Sequence, residues 1–128
     1  MPPEIEKQIQ EKGLNAPRVT PADIANSIAV EYYFTADEPF GEDAHPSLSL
    51  LTFCVLVLKN GFTVTGESAC ASPENFNTEL GQQIAYKKAV EKIWVLLGYS
   101  LREKLHAASL GEAALQTTSA DNIPPNKE

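Results

Sequence analysis

Residues 49–59 (SLLTFCVLVLK) and 62–71 flank the dipeptide Asn60-Gly61, and no other stretch of this 128-residue chain restricts its folding as strongly. Asn-Gly between β-branched, apolar runs is the strongest short-range hairpin signal, because a two-residue turn asks for positive φ at both central positions. Such a turn predicts Lys59 opposite Phe62, Val57 opposite Val64 and Val55 opposite Gly66. The first of the two strands is apolar on both faces. It is therefore expected either between two layers or against another subunit.

Around this hairpin the rest of the chain reads as one α+β domain. Ile5, Ile9 and Leu14 among charges predict a weak amphipathic helix within residues 1–14, ending at Gly13. Thr20 suits a helix cap, Pro21 the first helical position and Asp23 the positive end of the dipole, so a short helix is expected over 21–28. Aromatic residues 32–34 place a strand at 29–35, and 36–46 reads as a loop. Asn77 can cap a long helix, and Leu80, Ile84, Ala85, Ala89, Ile93, Trp94 and Leu97 form its expected buried stripe. Gly98 marks an end or a kink, after which 99–105 resumes as helix. The fold class is α+β: an antiparallel sheet with a central hairpin, packed against a long C-terminal helix and short N-terminal helices. The ligand-binding domain is expected over 1–107, and the Ala, Gly, Ser, Thr and Pro content of 108–128 reads as a mobile tail.

Charge and composition narrow the partners. A net charge of −7 opposes a nucleic-acid polymer as ligand, since such binding needs a clustered basic surface. A small anionic ligand stays open, because two or three cations can make a local pocket on an acidic protein. The longest apolar run, about nine residues, falls short of the ~20 that span a bilayer, and the first residues do not read as a secretory signal. No membrane partner and a cytosolic location are expected. Cys54 and Cys70 fall out of register with each other and read as free thiols; with His45 and His106 they lack zinc spacing, so no metal and no cofactor are expected.

No nucleophile–base pair, paired acids or phosphate-binding glycine loop is visible, so no catalytic residue is assigned and the chain is not expected to be an enzyme. Two clusters fit binding instead. Asn75-Phe76-Asn77 precedes the long helix, and Tyr86, Tyr99 and Arg102 follow along it. An aromatic face can stack a base, amides can read polar edges, and Arg can hold phosphate. Arg18 and Thr20, in the Pro17–Pro21 turn, are a second candidate anion contact. The alternative for each is structural: a packed aromatic, a helix cap and solvated arginines.

The run Asn60-Gly61-Phe62-Thr63-Val64-Thr65-Gly66-Glu67-Ser68-Ala69-Cys70, with Pro73, Asn75-Phe76, Gly81, Ile84-Ala85, Ala89, Lys92-Ile93-Trp94 and Leu97-Gly98-Tyr99, resembles a family of small phage accessory proteins that includes the anti-Thoeris sponges. The likeness covers about 50–105, with a weaker match at residues 17–21. It implies a phage anti-defence protein, active in the host cytosol, that sequesters glycocyclic ADP-ribose signals without cleaving them. It also implies homo-oligomers, hexamers in some members, with pockets between protomers, and cyclic di- or trinucleotides (the messengers of anti-CBASS evasion) at separate sites. Carried over residue by residue, Phe76 becomes the stacking aromatic and Arg102 the phosphate-binding arginine. Lys104 or His106 stands where a second basic residue is expected, and Arg18 and Thr20 become candidates for the second nucleotide site. The rival readings are an acidic inhibitor of a host protein and a hydrolase of the same messenger.

Overall fold

The computed structural model describes residues 2–117, with side chains to residue 112. Helix α1 spans Pro3–Glu11, α2 Pro21–Ser27, β1 Ile28–Thr35, β2 Leu51–Leu58, β3 Thr63–Ala69 and α3 Thr78–Thr117. The strands form one antiparallel sheet in the order β1-β2-β3, and α3 packs across one face. This is the expected α+β architecture. Short 3₁₀ turns at Glu38–Asp43 and Pro46–Leu50 link β1 to β2, and a third at Pro73–Asn75 leads from β3 into α3.

The helix starts follow from local chemistry. Thr20 Oγ1 accepts the Asp23 backbone N–H at 3.2 Å while Asp23 Oδ2 accepts the Thr20 N–H at 2.9 Å, a reciprocal capping box with Pro21 in the first turn. At α3, Asn77 Oδ1 accepts the Leu80 N–H at 2.9 Å.

The hairpin register differs by one residue from the expected one. Val57 pairs with Thr63, Leu56 with Val64 and Cys54 with Gly66. The connection has three residues: the Gly61 N–H donates to the Leu58 carbonyl at 2.8 Å, and the Leu58 N–H to the Phe62 carbonyl at 2.8 Å. Gly61 has φ of 91°, whereas among the described residues none other than glycine has positive φ. A turn closed by a glycine bulge thus replaces the two-residue turn. Asn60 contributes its side chain, whose Oδ1 accepts the Phe62 N–H at 3.0 Å. The slip leaves Cys54 and Cys70 unpaired, as expected.

The slip also decides what faces the helix, because one residue of register exchanges the two faces of a strand. Thr52, Cys54, Leu56 and Leu58 point toward α3 with Val64 and Gly66, and the core adds Ile24, Ala85, Ala89 and Ile93. Tyr86, Trp94 and Leu97 pack half-buried at its edge. The α3 stripe is narrower than expected: Gly81, Ala85, Ala89 and Ile93 are buried, while Leu80 and Ile84 are exposed. Small residues every four positions bring the helix axis close to the sheet. A Cβ at Gly66 would overlap the Ala85 carbonyl oxygen and lie 2.5 Å from the Ala89 nitrogen; one at Gly81 would lie 2.9 Å from Thr52 Oγ1.

On the opposite face, Val30, Tyr32 and Phe34 of β1 stand beside Val57, Val55 and Phe53 of β2. Phe34 and Phe53 stack at 5.4 Å. Val30 and Tyr32 are exposed, whereas Phe34, Phe53, Val55 and Val57 are half-buried, so this apolar strip is partly open to solvent. Helix α3 runs straight through Gly98 to Thr117, so the helix does not end there, and the segment expected as a tail is helical from 108 to 117. The remainder of that expectation, 118–128, lies outside the described residues.

Gly66→Ala should cost about 1–3 kcal/mol of stability, because backbone stands where its methyl group would go. Gly98→Ala, with nothing near its added methyl, should stabilise α3 by about 0.5–1 kcal/mol. Urea midpoints of the two variants moving in opposite directions check both.

Candidate functional site

Three of the clefts beside α3 contain expected site residues. The first lies where the chain enters α3. It encloses about 180 Å³ between Cys70, Asn75, Phe76, Asn77, Leu80 and Ile84. The Pro73–Asn75 turn holds Phe76 in place, with its N–H donating to the Pro73 carbonyl at 3.2 Å. Ser72 Oγ donates to Glu74 Oε1 at 2.8 Å and holds that carboxyl below its ordinary range. The result is a half-buried aromatic ring flanked by two amides and by the exposed Leu80 and Ile84. Chemically, this can take a flat ring with polar edges.

The second cleft, about 520 Å³, lies between β1 and α3 and contains Tyr86 together with Glu31, Tyr33, Glu79, Gln82 and Gln83. The Tyr33 hydroxyl donates to Glu31 Oε1 at 2.8 Å. Burial first, then the hydrogen bond to Glu31, pushes the Tyr33 hydroxyl far above the ordinary tyrosine range. Burial likewise raises Tyr86, with Glu31 adding to it, and raises the Cys54 thiol beneath Tyr33. Sequence reasoning found Tyr86 and missed Glu31 and Tyr33. Their period-two spacing put them on one face of β1, but nothing local said which helix residues would meet that face.

In the third cleft, about 260 Å³, the chain brings together Arg18 and Lys104, which the sequence assigned to different sites. Val19, Asp23, Leu97, Ser100 and Leu101 complete its wall. Arg18 is already engaged: its two terminal nitrogens donate to Glu6 Oε1 and Oε2 at 2.7 and 2.8 Å. That hydrogen-bonded pair lowers the Glu6 carboxyl and raises Arg18. Thr20 is committed to the α2 cap.

Tyr99 and Arg102 belong to none of these clefts. Both are exposed on the part of α3 beyond the sheet, as is His106. Arg102 stands 24 residues along α3 from its first residue, Thr78, or about 36 Å at 1.5 Å per residue, and Phe76 lies just before that start. One small molecule cannot touch both within a single chain. Among the described residues, no three His, Cys, Asp or Glu side chains gather as metal ligands, and no helix is long and apolar enough to cross a membrane.

The two raised tyrosines set an alkaline limit. A group whose pKa is higher in the folded than in the unfolded chain stabilises the fold below its unfolded value, near 10 for tyrosine, and loses that contribution as pH rises above it. Denaturant midpoints should therefore fall as pH rises beyond about 10, and Tyr33→Phe should flatten that fall. An identical pH profile for the variant would contradict the role given to Tyr33.

Residues 19–105 match the model of the phage protein (N4 Gp49/phage Sf6 gene 66) family. No curated protein and no solved structure matches the chain. The matched segment takes in the sheet, the packed length of α3, the Phe76 cleft and the Tyr33–Tyr86 cleft. It covers well over half of the sequence, and the chain belongs to this phage protein family.

Proposed function

We propose that the protein is a phage anti-defence sponge, which binds cyclic ADP-ribose-type signalling nucleotides in the host cytosol and releases them chemically unchanged. The observation that carries this reading is the cleft at the start of α3, where Phe76 offers a ring face between Asn75 and Asn77. A purine can stack there while the amides meet its polar edge. Membership of the phage protein family supports the phage part of this reading, and the resemblance over residues 50–105 supplies the sponge part.

The 36 Å between Phe76 and Arg102 gives this reading a definite form. If both residues hold one nucleotide, the Phe76 cleft of one protomer meets the Arg102 segment of another. The apolar strip of β1 and β2, with Val30 and Tyr32 exposed and Phe34, Phe53, Val55 and Val57 half-buried, gives copies a surface on which to associate. The protein then works as a homo-oligomer with composite pockets. Mass action makes binding sufficient: with Kd around 1 nM, about −12 kcal/mol, an excess of sponge leaves little free messenger. The same apolar strip also suits the second reading, in which the partner is a host protein that the acidic phage protein inhibits.

Calorimetric titration with a panel of cyclic ADP-ribose isomers and cyclic di- and trinucleotides tests this. Phe76→Ala removes stacking of about 1–3 kcal/mol, and Arg102→Ala removes charge-assisted hydrogen bonds of about 1.5–3 kcal/mol each. Each should weaken binding about tenfold or more, with melting temperature and oligomer size unchanged. Arg18→Ala should spare that affinity and weaken only a cyclic di- or trinucleotide. Absence of binding to any cyclic nucleotide by the unaltered protein would overturn the sponge reading in favour of the host-protein inhibitor.

A further inference from the structure

The outer edge of the sheet and one side of α3 share a two-fold symmetry that a single chain does not use. β3 is an edge strand, and among the described residues nothing pairs with its far side. Its ladder to β2 is regular from Thr63 to Ala69, without proline, whereas β1 carries a register shift between Ile28 and Val30. The Leu58 N–H donates to the Phe62 carbonyl and the Cys70 N–H to the Leu50 carbonyl, which makes the even-numbered residues of β3 the ones bonded to β2. Thr63, Thr65 and Glu67 therefore direct their N–H and C=O groups outward. An unbroken edge of this kind is a template for another strand.

Helix α3 runs antiparallel to this edge: Lys92 and Val95 lie beside Thr63–Thr65, and Leu80 and Ile84 beside Ser68–Cys70. On that side α3 carries Ile84, Lys88, Glu91 and Val95, all exposed, at spacings of four, three and four residues. Ile84 is 46% and Val95 71% exposed. The spacing reads the same from either end, so an antiparallel copy sets Ile84 against Val95 and Lys88 against Glu91. The centre of this row falls between Ala89 and Val90. Gly66 lies against Ala85 and Ala89, level with the midpoint of those two. One strand residue, about 3.3 Å, equals roughly two helix residues, so Thr65 stands level with the centre of the helix row.

We propose that two copies join about this common axis. β3 pairs antiparallel with β3 of the second copy, Thr65 against Thr65 and Thr63 against Glu67, doubling the three-stranded sheet. The two α3 helices lie side by side above it. Each α3 packs on both β3 and β2; with strands about 4.8 Å apart, two such helices stand about 10 Å apart, the separation of packed helices. The occupant is a second copy because the row is complementary to its own reverse: Lys88 meets Glu91 twice, and no like charges fall opposite each other along strand or helix. This interface is separate from the apolar strip on the open face of the sheet. It stands on the edge and the helix alone. Its register also sets Arg102 of one copy level with Asn77 of the other, beside the Phe76 cleft, and only that consequence rests on the nucleotide reading above.

Sedimentation equilibrium of the unaltered protein should give a two-chain unit or an even multiple of it. Lys88→Glu and Glu91→Lys each set like charges against each other twice per dimer and should weaken association about tenfold at low ionic strength. Mixed together, the two variants regain both opposite-charge contacts and should associate as tightly as the unaltered chain, which loss of fold in either cannot imitate. Both positions are exposed, so melting followed by circular dichroism should be unchanged. Thr65→Pro removes an outward N–H and none that β2 uses, and should abolish the two-chain unit. A monomer at micromolar concentration overturns the proposal, as does association indifferent to both charge reversals or a mixture no tighter than its components. Charge-indifferent assembly that binds a cyclic nucleotide would remove this dimer and leave the sponge. A charge-dependent dimer that binds none would keep the dimer and remove the sponge.

Discussion

The sheet and α3 meet where neither carries a side chain that would hold them apart. Gly66 on β3 faces the α3 backbone at Ala85 and Ala89, and Gly81 on α3 faces Thr52 on β2. This close approach sets the position of everything else. It fixes the helix over the hairpin and seals Cys54, Leu56, Val64 and Ile93 into the core. It also leaves Thr52 Oγ1 buried without a hydrogen-bond partner, a local cost accepted for the tight fit. With the helix so placed, Phe76 sits at one end of the sheet, Tyr86 opposite Tyr33 at its β1 side, and Arg102 out beyond the opposite end.

That contact explains where the sequence could be read and where it misled. The hairpin, the α2 start at Thr20 and the α3 start at Asn77 rest on local signals, namely a turn, β-branched runs and caps. The register did not. β2 is apolar on both faces, so it has no alternation to choose between Leu56 and Val57 as the partner of Val64. Only the bulge at Gly61 breaks the tie, and Asn-Gly suits that turn as well as the shorter one. Similarly, Leu80 and Ile84 look like the buried stripe by hydrophobicity, while the true contact uses Gly81, Ala85 and Ala89 because they are small. Nor did the Ala- and Ser-rich composition beyond residue 107 announce that the helix continues to Thr117.

The candidate site was legible as a set of residue types and not as an arrangement. Phe76 with its flanking asparagines does line a cleft, and Tyr86 lines another with Glu31 and Tyr33 that sequence spacing could not foresee. Lys104 moves from the supposed first site to the side of Arg18. Arg102 stands apart from all of these. Residue type and resemblance grouped Arg102 with Phe76, whereas the helical rise alone puts Arg102 about 36 Å from the start of α3. A ligand that needs both Phe76 and Arg102 therefore needs two copies of the chain, which joins the partly exposed apolar strip and the projecting helix into one account of why this protein would assemble.

Mixing two defective proteins tests that account most directly. Phe76→Ala and Arg102→Ala chains, unfolded together and refolded as mixed oligomers, should regain tight nucleotide binding. Random assortment predicts about a quarter of the pockets receiving an intact Phe76 from one chain and an intact Arg102 from its neighbour. A mixture that binds no better than the two variants measured separately would contradict the composite pocket.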